Sequence, residues 1–337
     1  MASYTLISPD GSSYASAEPG TLGGHRRSKV YGRLDCAGAL RWIAKGHYVQ
    51  HRVFFADEAT AIAAGFRPCG HCLRERYREW KAGAMTVRLD ARRPFDHEHL
   101  LDFFARRTVD GVDGVEGSVY RRTGPPGADA PTTGGERARF ALAIDDGGAT
   151  LTAEGDVRDA VRRARAMLDL DADPAAIAAV LADDPLLPWR PGIRSPGAYD
   201  AYEVAIRAIV GQQISVAATR TVLGRMAAAG LFPQREALAE ADPAALPMPR
   251  ARAQALIEVA RGRPLDAIKG VGSWTRAYVA LRSGDPDVFL PTDLVVRREL
   301  ERRGGTPADA ERWRPFRSYA VHLLWRAATQ ASGARTR

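Results

Sequence analysis

Cysteine is scarce in this sequence, with three in 337 residues and none beyond position 72. So small a number excludes a disulfide-stapled scaffold, which needs several paired cysteines to close its loops. The C-terminal part holds no cysteine set for an iron–sulfur cluster. No run of eighteen or more apolar residues occurs, so no stretch has the length and apolarity of a membrane-spanning helix. The first twenty residues lack the basic, apolar and small-residue regions of a secretory signal, and the expectation is a cytoplasmic protein. No repeat of fixed period is present. What remains is a chain of ordinary apolar fraction, 45%, long enough to bury the cores of two or three domains. Its formal charge is +8 with a pI near 9.7, which suits a polyanionic partner. Residues 1–84 carry twelve Lys and Arg against seven Asp and Glu, so most of the basic surplus sits in that segment together with all three cysteines.

Three regions separate by composition. The cysteine- and histidine-bearing segment ends near Gly83-Ala84-Met85. The second opens at 95–107, where Leu100, Leu101, Phe103 and Phe104 recur at helical spacing, and continues through short strands at 118–122, 137–144 and 150–154. Residues 124–136 read as a flexible loop. From Asp156 onward the pattern predicts helices at 157–168, 173–182, 199–229, 252–261, 274–282 and 308–329. Asp173-Pro174 and Asp242-Pro243 read as an N-cap followed by a first-turn proline. The expected fold is therefore α+β, a small sheet with a helix followed by an all-α bundle.

Within that bundle, Leu265 to Tyr278 has the form of a helix end, Gly270-Val271-Gly272, and a new helix. Glycines permit a tight hairpin, and the free N–H groups at the start of the second helix can bind a phosphate. Gly270, Gly272, Ser273 and Thr275 are the candidate DNA-binding positions of this helix-hairpin-helix. Fifteen positions after Trp274 comes Phe289-Leu290-Pro291-Thr292-Asp293, an acid at the start of a helix. By itself Asp293 reads as an ordinary N-cap, and the hairpin as an ordinary turn.

In combination they resemble the AlkA type of DNA-3-methyladenine glycosylase over nearly all of 95–325. The matching stretches are 201–218 (AYEVAIRAIVGQQISVAA), 252–260 (RAQALIEVA), 287–293 (DVFLPTD) and 312–325 (RWRPFRSYAVHLLW). The resemblance implies an antiparallel sheet subdomain like half of a TATA-binding fold over 85–170 and an all-α glycosylase core over 171–331. It implies that Asp293 is the catalytic carboxylate and that Phe103, Trp274, Tyr278 and Trp325 form an aromatic base pocket. Gln212 and Gln213 fall where the family places a wedge into the DNA, with an amide in place of an aliphatic side chain. Lyase-active relatives carry a lysine immediately after the hairpin. Trp274 stands there in this chain, so base excision without strand cleavage is expected. The implied partner is double-stranded DNA containing damaged bases, bound by a monomer associated with the nucleoid and not with a membrane. The connection between Ala260 and Leu265 is shorter than usual for the family, which keeps a catalytically inactive, alkylation-sensing DNA-binding protein as the competing reading.

In the N-terminal segment, Cys69-Gly70-His71-Cys72 preceded by Cys36 suggests zinc, which takes four sulfur or nitrogen ligands. His51, His47, His25 and His71 are candidates for the fourth, with His51 preferred. Residues 54–72 resemble the zinc domain of the Ada alkylation-response protein, which defines an Ada-like zinc-binding α/β domain over 1–84. Upstream the family has two cysteines where this chain has Cys36 and Leu40. The resemblance implies a structural zinc held by Cys36, Cys69 and Cys72, with His51 preferred as the fourth ligand because it lies just before the strand at 53–55, and it raises Cys36 as an acceptor of methyl groups from DNA phosphotriesters.

Overall fold

The computed structural model describes residues 4–124, 138–228 and 231–334. Contact density divides the chain into two units, each described by itself. The first comprises Met1–Leu89, Gly124–Leu142 and Ala149–Ala164, and the second Asp90–Thr123, Ala143–Gly148 and Arg165–Arg337. The loop expected over 124–136 lies, beyond Gly124, outside the described residues.

The N-terminal segment forms a mixed six-stranded sheet from β1 (Tyr4–Ile7), β2 (Ser13–Ser16), β3 (Leu22–His25), β4 (Val30–Arg33), β5 (Arg52–Phe55) and β6 (Arg67–Pro68), in the order β2-β1-β5-β3-β4-β6. β1 and β5 run parallel, whereas β3 lies antiparallel to both β4 and β5. Three helices accompany the strands: α1 (Ala37–Ala44), α2 (Glu58–Ala63) and α3 (Arg74–Ala82). α2 starts where the Asp57 side chain accepts the Thr60 N–H at 2.6 Å, and its small residues Ala59, Ala61 and Ala63 let it be buried with Val53, Phe55 and Phe66.

A second, antiparallel sheet is built from β7 (Ala84–Asp90), β8 (Asp113–Glu116), β9 (Val119–Gly124), β10 (Ala138–Asp145) and β11 (Gly148–Glu154), in the order β7-β11-β10-β9-β8. α4 (His97–Ala105) precedes β8. Along β7 buried and exposed residues alternate strictly, the period-two signature of a sheet with one covered face.

The remaining helices are α5 (Val157–Leu168), α6 (Pro174–Leu181), α7 (Ala201–Val210), α8 (Val216–Met226), α9 (Arg235–Ala239), α10 (Arg250–Ala260), α11 (Ser273–Arg282), α12 (Leu294–Arg302) and α13 (Arg317–Ala334). Two apolar cores hold the helical part of the second unit. One gathers Ile177, Leu181, Leu281, Leu290, Val296, Trp313 and Leu324, the other Ile206, Ile209, Leu223, Leu256, Ile268 and Val271. The fold is thus α+β, as the patterning implied.

Three expectations need correction. The single helix foreseen over 199–229 is two, because Gly211 to Ser215 breaks it. Gln213 adopts a left-handed backbone, φ 63°, and the Ser215 hydroxyl caps α8 by accepting the Ala218 N–H at 3.1 Å. The long helix foreseen over 308–329 is a 3-10 turn, Pro307–Trp313, followed by α13. Asp242-Pro243 starts no helix: the Asp242 carboxylate accepts the Ala244 N–H at 2.9 Å within a turn, whereas Asp173 caps α6 as anticipated.

Candidate active site and cysteine cluster

Within the second unit, residues from both helical cores line a cavity of about 430 Å³. α11 supplies Trp274 and Tyr278, spaced one turn apart so that their rings stack, 5.2 Å between centroids and 14° between planes. α13 supplies Trp325, tilted 53° to Tyr278 at 6.1 Å. Asp293 enters at the N-terminus of α12 and is the cap of that helix: Oδ1 accepts the N–H groups of Val295 and Val296 at 3.1 and 3.0 Å. The same carboxylate accepts the indole N–H of Trp325 on Oδ1 at 3.2 Å and that of Trp274 on Oδ2 at 3.0 Å. Asp293 is 9% exposed and lines the cavity, so one side chain both caps α12 and reaches the cavity wall. A helix N-terminus favours a negative charge there.

Two lining residues had no signal in the sequence. Arg107 and Arg282 both line the cavity, and Arg282 Nη1 donates to the phenol oxygen of Tyr278 over 3.1 Å. Burial raises the Tyr278 pKa, but the guanidiniums of Arg282 and Arg107 together outweigh it and hold the phenol below the usual tyrosine value. Farther along the wall, burial would raise Glu203, yet its ion pairs with Arg122 at 2.9 Å and Arg207 at 2.6 Å hold it down to about 2.

Phe103 is placed differently from the expectation. It is buried, with Arg107 over its ring at 3.7 Å and Arg282 at 4.6 Å, and it supports these arginines without lining the cavity, which Phe104 does. Thr275 is 2% exposed and accepts a hydrogen bond from Gln212 Nε2 at 3.1 Å, while the same nitrogen donates to the Gly270 carbonyl at 3.0 Å. Gln212, half-buried, and Thr275, buried, therefore brace the hairpin and are engaged with each other. Gln213 and Ile214 are exposed, Ser273 and Gly272 are exposed, and no side chain caps the start of α11. Gly270 has φ 88°, which explains the need for glycine there.

In the first unit, Cys36 at the start of α1 meets Cys69 and Cys72, with one sulfur from each within 4.8 Å of the others. The fit to a thiophilic metal rests on two features. Three sulfurs converge, and although burial raises the Cys69 thiol the backbone N–H groups of Cys72 and His71 outweigh it and hold it below the usual value, whereas burial pushes the Cys72 thiol up to about 12 in the absence of a metal. Gly32 makes room for the sulfurs, since a Cβ there would sit 2.7 Å from Cys72 Sγ. His51 does not join this cluster: its ring packs against His25, 5.4 Å away. The preference for His51, based on nearness in sequence, is corrected by the strand pairing that sets His25 opposite Arg52. His71 lines a separate cavity of the first unit, about 240 Å³, beside Cys36 and Cys69, but is not part of the three-sulfur group.

Residues 86–200 match the family model described as the AlkA N-terminal domain. The fold is that of the helix-hairpin-helix glycosylases: the 3-methyladenine DNA-glycosylase from Archaeoglobus fulgidus superposes with a TM-score of 0.56 at 21% identity, covering 73% of this chain and 98% of that one. DNA-3-methyladenine glycosylase 2 of Escherichia coli is 33% identical over 271 residues, 69% of this chain and 94% of the relative. The chain belongs to the AlkA family of DNA glycosylases. The probable bifunctional transcriptional activator/DNA repair enzyme AlkA of Mycobacterium tuberculosis is 35% identical over 292 residues, 72% of this chain but 57% of the relative, so the chain spans little more than half the length of that protein.

Proposed function

We propose that the second unit is a monofunctional DNA glycosylase that removes alkylated bases from double-stranded DNA, with Asp293 as its catalytic carboxylate. The observation that carries this reading is the carboxylate held by two indole N–H groups in the wall of an aromatic cavity. A base turned out of the duplex, at a cost of a few kcal/mol, about the price of unstacking, would enter between Trp274, Tyr278 and Trp325. An electron-poor, often cationic, alkylated purine stacks well on indole and phenol faces. As the glycosidic bond breaks, positive charge develops on the deoxyribose, and a fixed carboxylate stabilises it without reorganising. Water completes the hydrolysis. Trp274, in the position of a Schiff-base lysine, has no amine to attack the sugar, so the product is an abasic site in an intact strand.

The exposed start of α11, with Gly270, Gly272 and Ser273, would hold a phosphate on its free N–H groups, and Gln213 at the surface would fill the gap left by the base. For the first unit we propose zinc held by Cys36, Cys69 and Cys72. The bound metal would keep these sulfurs as thiolates and tie α1 to the Cys69-Cys72 loop, forming a DNA-binding module. The organisation proposed is a zinc domain over 1–84, a sheet subdomain over 85–170 and a glycosylase core over 171–331. Purified protein incubated with duplex DNA bearing N3- or N7-methylated purines should release the free base, read by chromatography. No release at enzyme excess overturns the reading.

A further inference from the structure

The cavity beside the cysteines is built by strand pairing. In the antiparallel ladders His25 stands opposite Arg52 on one side and Val30 on the other, and Gly23 stands opposite Phe54 and Gly32. Directly opposed residues point to the same face of a sheet, and so do residues two apart, so Gly23, His25, Gly32 and Arg52 share one face. The sulfurs lie over that face at Gly32, where a Cβ would come within 2.7 Å of Cys72 Sγ. The Arg52 guanidinium lies over Gly23, where a Cβ would collide with its Nη2. These four residues line the cavity of about 240 Å³ together with Cys36, Cys69, Trp42 and Tyr48.

Zinc takes four ligands, and a site that gives it three from the protein is of the open kind, with one position left to a ligand from solution. Among the described residues the three sulfurs gather no fourth metal-binding side chain. Most of the nearby histidines are engaged elsewhere. His25 Nδ1 is bonded to the Ser28 hydroxyl at 2.8 Å and its ring packs on Tyr48 at 4.5 Å, His51 packs against His25, and His47 packs against Trp42 at 5.4 Å. Exposed His71 is the remaining protein donor to be tested. Arg52 is open as well: among the described residues no carboxylate pairs with it, and its half-buried guanidinium rests on the Phe54 ring at 5.3 Å. Three thiolates on a divalent metal carry a net charge of minus one, which Arg52 offsets. A soft thiolate matches the sulfurs already on the metal, and a guanidinium makes its strongest pair with a carboxylate through two parallel N–H donors.

We propose that the metal centre of the first unit is open to solution and that its fourth ligand is a small external thiol bearing a carboxylate, with the sulfur on the metal and the carboxylate on Arg52. This deepens the zinc reading above and rests on it. As the thiol binds, its S–H bond breaks, the proton passes to water and a metal–sulfur bond forms; nothing is oxidised or reduced. Arg52 supplies the selection, because a guanidinium in a partly closed cavity favours the anionic thiol over a neutral one. The cavity has room for a ligand well larger than one water.

The test uses the full chain loaded with one equivalent of cobalt(II), whose visible absorption reports the donors around it. The three cysteines are the chain's entire thiol content, so the protein's own thiolate signal comes from this site. Mercaptoacetate is expected to change the spectrum saturably with one molecule per metal. Its neutral counterpart, 2-mercaptoethanol, should do the same at about tenfold higher concentration, the size of one charge-assisted hydrogen bond. Arg52→Gln should raise the mercaptoacetate concentration needed about tenfold and change that of 2-mercaptoethanol by less than about twofold. A spectrum that neither thiol changes overturns the proposal, as do equal affinities for the two thiols in the wild type, a comparison that needs no variant. An Arg52→Gln protein that still prefers mercaptoacetate as the wild type does also overturns it. His71→Ala supplies the last arm: its cobalt spectrum before any thiol is added should match the wild type, and an altered one would show that the chain closes the site with its own imidazole and overturn the open centre. A wild type that takes up neither cobalt nor zinc fails the zinc reading itself, an outcome distinct from the others because they all require a bound metal.

Discussion

Asp293 carries two duties that pull on the same atoms. Oδ1 serves the helix as cap and also meets the Trp325 indole, while Oδ2 has the Trp274 indole alone and a remaining acceptor position. An asparagine in this place would keep the cap oxygen but present a neutral group to the cation that forms on the sugar. Asp293→Asn is therefore expected to lower single-turnover base release by about 10²–10³-fold, the usual cost of losing one preorganised electrostatic group, with duplex affinity changed by less than about twofold. Base release near the wild-type rate would remove Asp293 from the chemistry. Capping was the legible part of this residue: an aspartate after a proline, ahead of an apolar helix, announces an N-cap in the sequence. The two indoles that clamp it come from positions 19 and 32 residues away, and no local pattern connects them.

At the scale of elements, the hairpin and α4 show how side chains hidden from solvent set a surface. Gln212, in the turn between α7 and α8, ties the hairpin through Gly270 and Thr275. Gln212→Ala removes both bonds, which should lower unfolding free energy by roughly 1–2 kcal/mol in urea titration and weaken duplex binding. Unchanged stability would mean that the brace contributes nothing. α4 and α13 bury a second pair of polar groups, His99 and His322, with ring centroids 5.7 Å apart. Burial drives both histidines toward the neutral form, His99 to about 4, and Asp96 and Asp102, which raise it, are outweighed by burial together with Arg326 and Arg107. His322 is pushed well below its ordinary value by burial, with His99, Arg282 and Arg107 adding to it.

A histidine whose folded pKa is depressed binds its proton more readily when unfolded. Its contribution to stability is complete above about pH 6.5 and is lost as the pH falls toward 4. For His99 the loss is on the order of 3 kcal/mol across that window. The unfolding midpoint is expected to drop between pH 6.5 and 4 more steeply in the wild type than in His99→Gln, as followed by tryptophan fluorescence. Parallel curves would show that His99 is not the sensor.

For the whole molecule, the division of labour between the cysteine cluster and the aromatic cavity makes a prediction of its own. Prolonged chelation should strip one zinc per chain and make residues 4–82 sensitive to protease, since structural zinc in small domains contributes on the order of 10–16 kcal/mol of apparent binding free energy. Base release from alkylated duplex at saturating DNA should persist. A metal-free protein whose N-terminal segment resists protease equally well would refute the zinc assignment.

The sequence by itself determined the order of elements, the hairpin and the acid behind it, because helical periodicity, Gly-Val-Gly and an Asp N-cap act over a few residues and leave a local trace. It located four of the nine described helices of 157–334 closely: α5, α6 and α10 to within two residues and α11 to within one. Only the tertiary structure decided which polar groups share a wall. Arg107 and Arg282 look in sequence like surface arginines near helix ends, and nothing nearby in the chain reveals that both lie over the Phe103 ring in the wall of one cavity. His51 is the preferred ligand in sequence because it lies just before the strand at 53–55, between Cys36 and the Cys69-Cys72 pair in the chain. Strand pairing instead sets His25 opposite Arg52 and carries His51 to His25, away from the sulfurs. The physical reason is common to all three cases: capping and turn formation are decided by backbone neighbours, whereas the partner of a buried charge or ligand is chosen by packing between elements far apart in the chain.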